Sequence, residues 1–220
     1  MKTSSAPGPA VHDLLRLDSA QALRCDAPPP AWVEAALATA PWVVVRRAPP
    51  RGQLIPVGVR GAARDQRWAS WIHAEAVTAR LSPEALVDRH KDLAPSRKSM
   101  PALAALQPLA DLLAEYARPW GPTGSVGFEL ATGAPVVTDA SDLDILMRAD
   151  RRLPRIDAAS LVQALGELSV RCDLLLETPA GGVALAEYAR ADGQVVARGP
   201  CGPRLVDDPW EAPIPEGLRS

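Results

Sequence analysis

Along this chain the hydrophobic positions switch between a two-residue and a three-to-four-residue period, and each switch marks an element. Residues 42–48 (WVVVRRA) and 53–61 (QLIPVGVRG) are short apolar runs rich in β-branched residues, separated by the turn former PPRG. They predict a hairpin. Residues 64–79 place Trp68, Trp71, Ile72 and Ala76 on one helical face and leave Arg64, Arg67 and Glu75 for the other, which predicts an amphipathic helix. From about Leu81 to Met100 the pattern lapses into Ser82-Pro83, a charged stretch and APSRKSMP, the composition of a linker or exposed connection. A domain boundary belongs there, giving an N-terminal domain over 11–90 and a second over 98–212. The first and last ten residues, rich in small residues and proline, are expected to be frayed tails.

Beyond the boundary, Leu103, Leu106, Leu109, Leu112, Leu113 and Tyr116 recur at helical spacing, and Pro108 should kink this segment or begin a second helix. The sequence then alternates. WGPTGS is a short Gly-rich turn, VTDASDLDILMRA leads into a strand, and DAASLVQALGEL is a helix with Asp157 as its N-cap. VRCDLLLET is again a strand, GGVALAEYA a helix, and QVVARG and PRLV two further short strands. The expected fold class is α+β: a mixed sheet with flanking helices in the C-terminal domain and a smaller α/β N-terminal domain.

Composition narrows the function. Twenty-four basic against 26 acidic residues leave a net charge of -2, so no global positive field draws the chain to nucleic acid or an anionic membrane. Any polyanion must be caught locally. Cys25, Cys172 and Cys201 are odd in number and widely spaced, without a CxxC pair, which fits a reduced compartment. No stretch has the length of a signal peptide's apolar core or a membrane span, so a cytoplasmic location is expected.

The chemistry concentrates in Gly124-Ser125, Ser141-Asp142-Leu143-Asp144 and Asp173. Residues two apart on a strand project from one face, so Asp142 and Asp144 present two carboxylates side by side. Two bare like charges repel; a divalent cation between them makes sense of the pair, and Mg²⁺ is usually held by one or two carboxylates together with substrate phosphates. Asp173 opens the apolar run 174–176, and on a neighbouring strand it joins the same cluster. Three acids on adjacent strands suit an in-line displacement at phosphorus, and the third can also take the nucleophile's proton. Gly124 lets backbone approach a phosphate, while the Ser125 hydroxyl and the amides opening the next helix donate to its oxygens. A lone SDLD is common as a surface turn, so the weight rests on the order of the elements.

Other residues carry less. His12, His73 and His90 lack metal-ligand spacing and read as surface or core histidines. Arg46, Arg47, Arg51, Arg60, Arg64 and Arg67 make the N-terminal part locally basic, either as a solvated face or to meet an acidic partner. Arg97 and Lys98, just ahead of the second domain, belong either to a flexible connection or to a triphosphate site.

At these residues the chain resembles the nucleotidyltransferase superfamily, the DNA polymerase beta-like fold, with its GS turn, DxD strand and third strand acid. A closer likeness runs through residues 12–17, 56–68, 120–133, 138–148, 172–190 and 202–210. There the chain resembles the phosphoribosyl-dephospho-CoA transferases of malonate decarboxylase, its holo-acyl-carrier-protein synthases. That resemblance implies transfer of the prosthetic group from 2'-(5''-triphosphoribosyl)-3'-dephospho-CoA to a serine of the apo acyl carrier protein subunit, with loss of pyrophosphate. It also implies Mg²⁺ held by Asp142 and Asp144, a GS turn at Gly124 and Ser125, and Asp173 as third acid, either base or metal ligand. The citrate lyase counterpart and a generic ATP-using nucleotidyltransferase share the chemistry. In this chain Val126-Gly127-Phe128-Glu129 lacks the basic residues that many superfamily members carry after GS.

Overall fold

The computed structural model describes residues 8–63 and 65–211, which divide into two compact units between Ser82 and Pro83. In the first, β1 (Leu14–Leu17), α1 (Ala31–Thr39), β2 (Trp42–Val45), β3 (Ile55–Arg60), β4 (Arg67–Ile72) and β5 (Val77–Leu81) build a five-stranded antiparallel sheet in the order β4-β3-β2-β1-β5. One face carries Leu15, Leu17, Val43, Val45, Val57, Val59 and Ile72, which pack with Val33 and Leu37 of α1 into a buried core. At the head of β1, buried Asp13 accepts from Arg80 Nε on β5 at 2.5 Å and from the Ala10 N–H at 2.8 Å. The expected hairpin is present as β2 and β3, paired antiparallel.

Residues 64–79 are not a helix. Arg64 lies outside the described residues; Arg67–Ile72 form β4, paired residue for residue with β3, and a 3-10 turn at Ala74–Ala76 leads into β5. The burial explains the difference: Ser70 and Ile72 are buried, with Trp68 packed against the same core, a period of two, whereas Arg67 and Ala69 are exposed. Trp71 falls on the other face, where Arg46 stacks on its ring at 5.2 Å. Trp68 and Trp71 coincide with helical spacing while belonging to opposite faces of a strand.

The second unit begins with short helices, α2 (Pro83–Leu86), α3 (Pro95–Lys98) and α4 (Pro101–Ala104), followed by α5 (Leu106–Ala114). Composition marks 83–100 as a linker, yet Pro83 and Leu86 are buried and α2 packs against both β6 (Trp120–Pro122) and α6 (Gly124–Thr132). Glu84 binds Arg148 Nε at 2.7 Å. The break between α4 and α5 falls at Ala105, and Pro108 sits in the first turn of α5, where its missing N–H costs no intrahelical bond.

Then come β7 (Leu143–Arg148), α7 (Arg155–Leu165), β8 (Cys172–Thr178), β9 (Gly181–Ala184), α8 (Leu185–Arg190), β10 (Val195–Gly199) and β11 (Gly202–Val206). The sheet order is β11-β10-β9-β8-β7-β6, antiparallel throughout except for the parallel pair β7 and β8, which α7 connects. The N-cap of α7 is Pro154, so Asp157 lies in the first turn and is not the cap. GGVALAEYA divides between β9 and α8: Gly181 and Gly182 pair with β8, and the helix starts only at Leu185. Leu143, Ile145, Leu146, Met147 and Leu176 are at most 1% exposed, so β7 and its neighbour form the floor of this unit's core. Among the described residues no helix is long and apolar enough to cross a membrane.

Gly121 on β6 has the Pro83 carbonyl oxygen 2.0 Å from where a Cβ would sit. Gly121→Ala should therefore destabilise the second unit by about 1–3 kcal/mol, the usual cost of forcing atoms into packed space. Denaturant unfolding checks this; an unchanged midpoint would show that residues 83–86 are only loosely attached.

Candidate functional site

The site is built where β6 hands over to α6 and where β7 and β8 begin. In the parallel register Leu143 lies opposite Cys172 and Asp144 opposite Asp173, and the Leu143 N–H donates to the Arg171 carbonyl at 2.9 Å. Directly opposed residues on neighbouring strands share a face, and so do residues two apart on one strand. Asp144 and Asp173 therefore project from one face, and Asp142 just ahead of β7 and Arg171 just ahead of β8 complete an array of charged residues at the strand starts. The alternate face carries buried Leu143, Ile145, Leu174 and half-buried Cys172, which explains why the strands stay paired beneath a set of repelling carboxylates. Asp142 and Asp144 are half-buried, and Asp173 is exposed.

The turn before α6 meets this array directly. Thr123 donates its N–H to the Asp144 carbonyl at 2.8 Å, with its hydroxyl at 3.3 Å from the same oxygen. Gly124 has φ +57°, in the left-handed region, and a Cβ there would stand 2.0 Å from Asp144 Oδ2. Glycine is required twice, by backbone conformation and by the carboxylate's approach. Ser125 follows, half-buried, in the first turn of α6, where the opening N–H groups have no intrahelical acceptor. The structure thus brings Gly124, Asp144 and Asp173 together, with Ser125 and Asp142 one step along the same elements. Among the described residues no three carboxylate, thiol or imidazole groups converge closely enough to cage a metal ion by themselves. The donor set fits Mg²⁺ in its usual manner, one or two carboxylates with the remaining positions left to water and phosphate.

The approach to Asp142 is set by a buried ion pair that the sequence pattern does not reveal. Glu129, 1% exposed on α6, accepts from Arg97 Nε at 2.7 Å and Nη2 at 2.9 Å, and from the Val137 N–H at 2.8 Å. Arg97 Nη2 also donates to the Val137 carbonyl at 2.7 Å. Both backbone groups of Val137 are held, and the chain then turns at residues 138–141, where the Thr138 N–H donates to Ser141 Oγ, and delivers Asp142. Arg97 is consequently a structural residue here, and Lys98 Nζ donates to the Lys91 carbonyl. In the first unit Arg51 pairs with Asp26 and Arg67 donates to the Gln66 carbonyl, so that basic stretch is partly engaged locally. Arg171 does meet a site acid, with Nη2 3.0 Å from Asp173 Oδ2. Its signal was the i, i+2 spacing to Asp173.

Burial, reinforced by the Asp173 and Asp144 charges, pushes the Cys172 thiol up to about 12. It is protonated at neutral pH and is no nucleophile. His90 is held below the ordinary imidazole range by burial and by the Lys98 charge. Alkylation of the folded protein at pH 8 should modify exposed Cys25 and Cys201 and spare Cys172, read by peptide mass spectrometry; equal labelling of Cys172 would show that the strand start is open to solvent.

Family models of the phosphoribosyl-dephospho-CoA transferase MdcG match both units, its N-terminal domain over residues 10–83 and its C-terminal domain over 85–209. The chain is 47% identical over 203 residues to a phosphoribosyl-dephospho-CoA transferase of Pseudomonas aeruginosa, covering 92% of this chain and 94% of the relative. It is 45% identical to one of Azotobacter vinelandii (92% and 94% covered) and 41% identical to one of Klebsiella pneumoniae (94% and 98% covered). No solved structure matches. The aligned segments contain the GS turn, the DxD strand and the third acid within one domain match, and the chain belongs to the phosphoribosyl-dephospho-CoA transferase family, a family of transferase enzymes.

Proposed function

We propose that this protein transfers the phosphoribosyl-dephospho-CoA group of 2'-(5''-triphosphoribosyl)-3'-dephospho-CoA to a serine of the apo acyl carrier protein subunit of malonate decarboxylase, releasing pyrophosphate. The observation that carries the reading is the β7–β8 register, which sets Asp144 beside Asp173 while the Gly124 turn abuts Asp144. Family membership supports the prosthetic group; the geometry supports chemistry at phosphorus.

Asp142, Asp144 and Asp173 are the residues that would hold Mg²⁺, whose charge, when bound, neutralises a departing pyrophosphate. The chain's own contributions follow from the site. Gly124 offers no side chain to obstruct a phosphate, and the Ser125 hydroxyl and first amides of α6 donate to its oxygens at the positive end of the helix. Asp173, exposed and at the rim, accepts the proton of the carrier's serine hydroxyl as that oxygen attacks the α-phosphorus. The Glu129–Arg97 pair keeps the loop before Asp142 in place. Selectivity for this substrate over ATP comes from contacts to the second ribose and the pantetheine arm, since the triphosphate is common to both.

Asp142→Asn or Asp144→Asn should lower transfer by at least about a hundredfold with the fold intact, because an amide keeps the shape and loses the charge that holds the cation. Intact-mass measurement of the carrier reads the transfer, and near wild-type rates would remove these residues from the chemistry. Offered ATP alone, the wild-type protein should leave the carrier's mass unchanged; gain of AMP at a comparable rate would favour a generic nucleotidyltransferase.

A further inference from the structure

The charge array described above contains a fourth member besides the three acids. Arg171 precedes β8, its carbonyl accepts the Leu143 N–H at 2.9 Å, and its side chain turns along the strand to Asp173. Nε and Nη2 stand 3.4 and 3.3 Å from Oδ1, and Nη2 stands 3.0 Å from Oδ2. The contact is long for an arginine–carboxylate fork, and the partners are 71% and 51% exposed. Exposed pairs of this kind contribute little to stability. A long pair in water at the mouth of a site is easily exchanged for another, and the stronger alternative for a guanidinium is a bidentate hydrogen-bonded pair with phosphate oxygens.

We propose that Arg171 is the phosphate-binding cation of this site: it screens Asp173 while the site is empty and turns its guanidinium to the triphosphate of the substrate when that ligand enters. The proposal rests on the reading of Asp142, Asp144 and Asp173 as a cation-binding set for a triphosphate substrate. Two further observations support it. The helix that follows the GS turn has no basic residue in its first six positions, so the amides of α6 leave most of the triphosphate charge unmet. Basic residues to either side of that helix are committed elsewhere: Arg118 to the Arg151 and Arg152 carbonyls, Arg148 to Glu84 near the other end of β7, Arg97 to Glu129 and Val137, and Lys98 to a backbone carbonyl.

Placement agrees with the role. In the sheet order β6-β7-β8, the GS turn stands on the β6 side of the acids and Arg171 on the β8 side. A phosphate chain lying over Asp144 and Asp173 thus finds amide donors at one flank and a guanidinium at the other. When Arg171 leaves Asp173, the carboxylate is released both to accept a proton and to share in holding the cation, so one side-chain movement serves binding and chemistry. In sequence the i, i+2 spacing to Asp173 is all that marks this arginine, and its significance depends on the pairing of two strands nearly thirty residues apart.

The test uses the full chain, with Mn²⁺ and inorganic tripolyphosphate as probes. In Arg171→Gln, calorimetry should show tripolyphosphate binding weakened about tenfold in the presence of Mg²⁺, the scale of a lost charge-assisted contact. Mn²⁺ binding without phosphate, followed by paramagnetic resonance, should stay equal or tighten, because a competing positive charge has gone. Arg171→Lys should fall between wild type and Arg171→Gln for tripolyphosphate, since it keeps the charge and loses the fork. Tripolyphosphate affinity within twofold of wild type would overturn the proposal, and so would a parallel loss of Mn²⁺ affinity, which would mean that Arg171 merely arranges Asp173. If wild-type protein takes up no Mn²⁺, the cation-site reading fails by itself. Arg171 is then judged with tripolyphosphate in chelator-treated buffer, where weaker binding by Arg171→Gln upholds its phosphate role and equal binding refutes it.

Discussion

Everything at the site depends on the parallel pairing of β7 with β8. Neither strand places Asp144 beside Asp173 by itself; the register does, and the register is fixed because a one-residue slip of β7 would turn Leu143, Ile145 and Met147 out of the core and carry the Asp144 charge into it. Apolar burial beneath the strands offsets the repulsion of the carboxylates above them. The division between the two faces is visible in Cys172, whose thiol sits on the buried face and is held neutral by burial and by the neighbouring Asp173 and Asp144 charges.

A second constraint fixes the loop rather than the strand. Glu129, Arg97 and Val137 join α6, α3 and the segment before Asp142 through four hydrogen bonds between 2.7 and 2.9 Å. A carboxylate buried this deeply is tolerable only when its partners are complete, and removing one of them costs more than the pair contributes. The helix that begins with the Gly124-Ser125 turn is thereby tied to the loop that ends in the DxD motif, so both halves of the site are referred to one helix.

Much of this was legible in the sequence because strands with buried apolar faces announce themselves. The order of turn, DxD strand, helix and acid-headed strand in the second unit follows from Ile145-Leu146-Met147 and Leu174-Leu175-Leu176, and family likeness agreed with it. The failures have physical causes. Trp68 and Ile72 satisfy a helical period and a strand period alike, Trp71 fits only the helical one, and pairing with β3, a non-local event, decides between them. Residues 83–100 look like a linker because short helices led by Pro83, Pro95 and Pro101 carry too few apolar residues each to show a period, although α2 is buried against β6. Arg97 offered itself for a triphosphate from sequence, and only its distance to Glu129, 32 residues away, shows that it is taken.

The proposed reaction is displacement at the α-phosphorus by a serine of the carrier. Phosphorus magnetic resonance of a reaction containing protein, Mg²⁺, apo carrier subunit and the triphosphoribosyl-dephospho-CoA substrate tests it most directly. Pyrophosphate and a new carrier-bound phosphodiester resonance should rise together in equal amounts. Release of intact tripolyphosphate, with no phosphodiester formed on the carrier, would place the broken bond at the ribose carbon and contradict it.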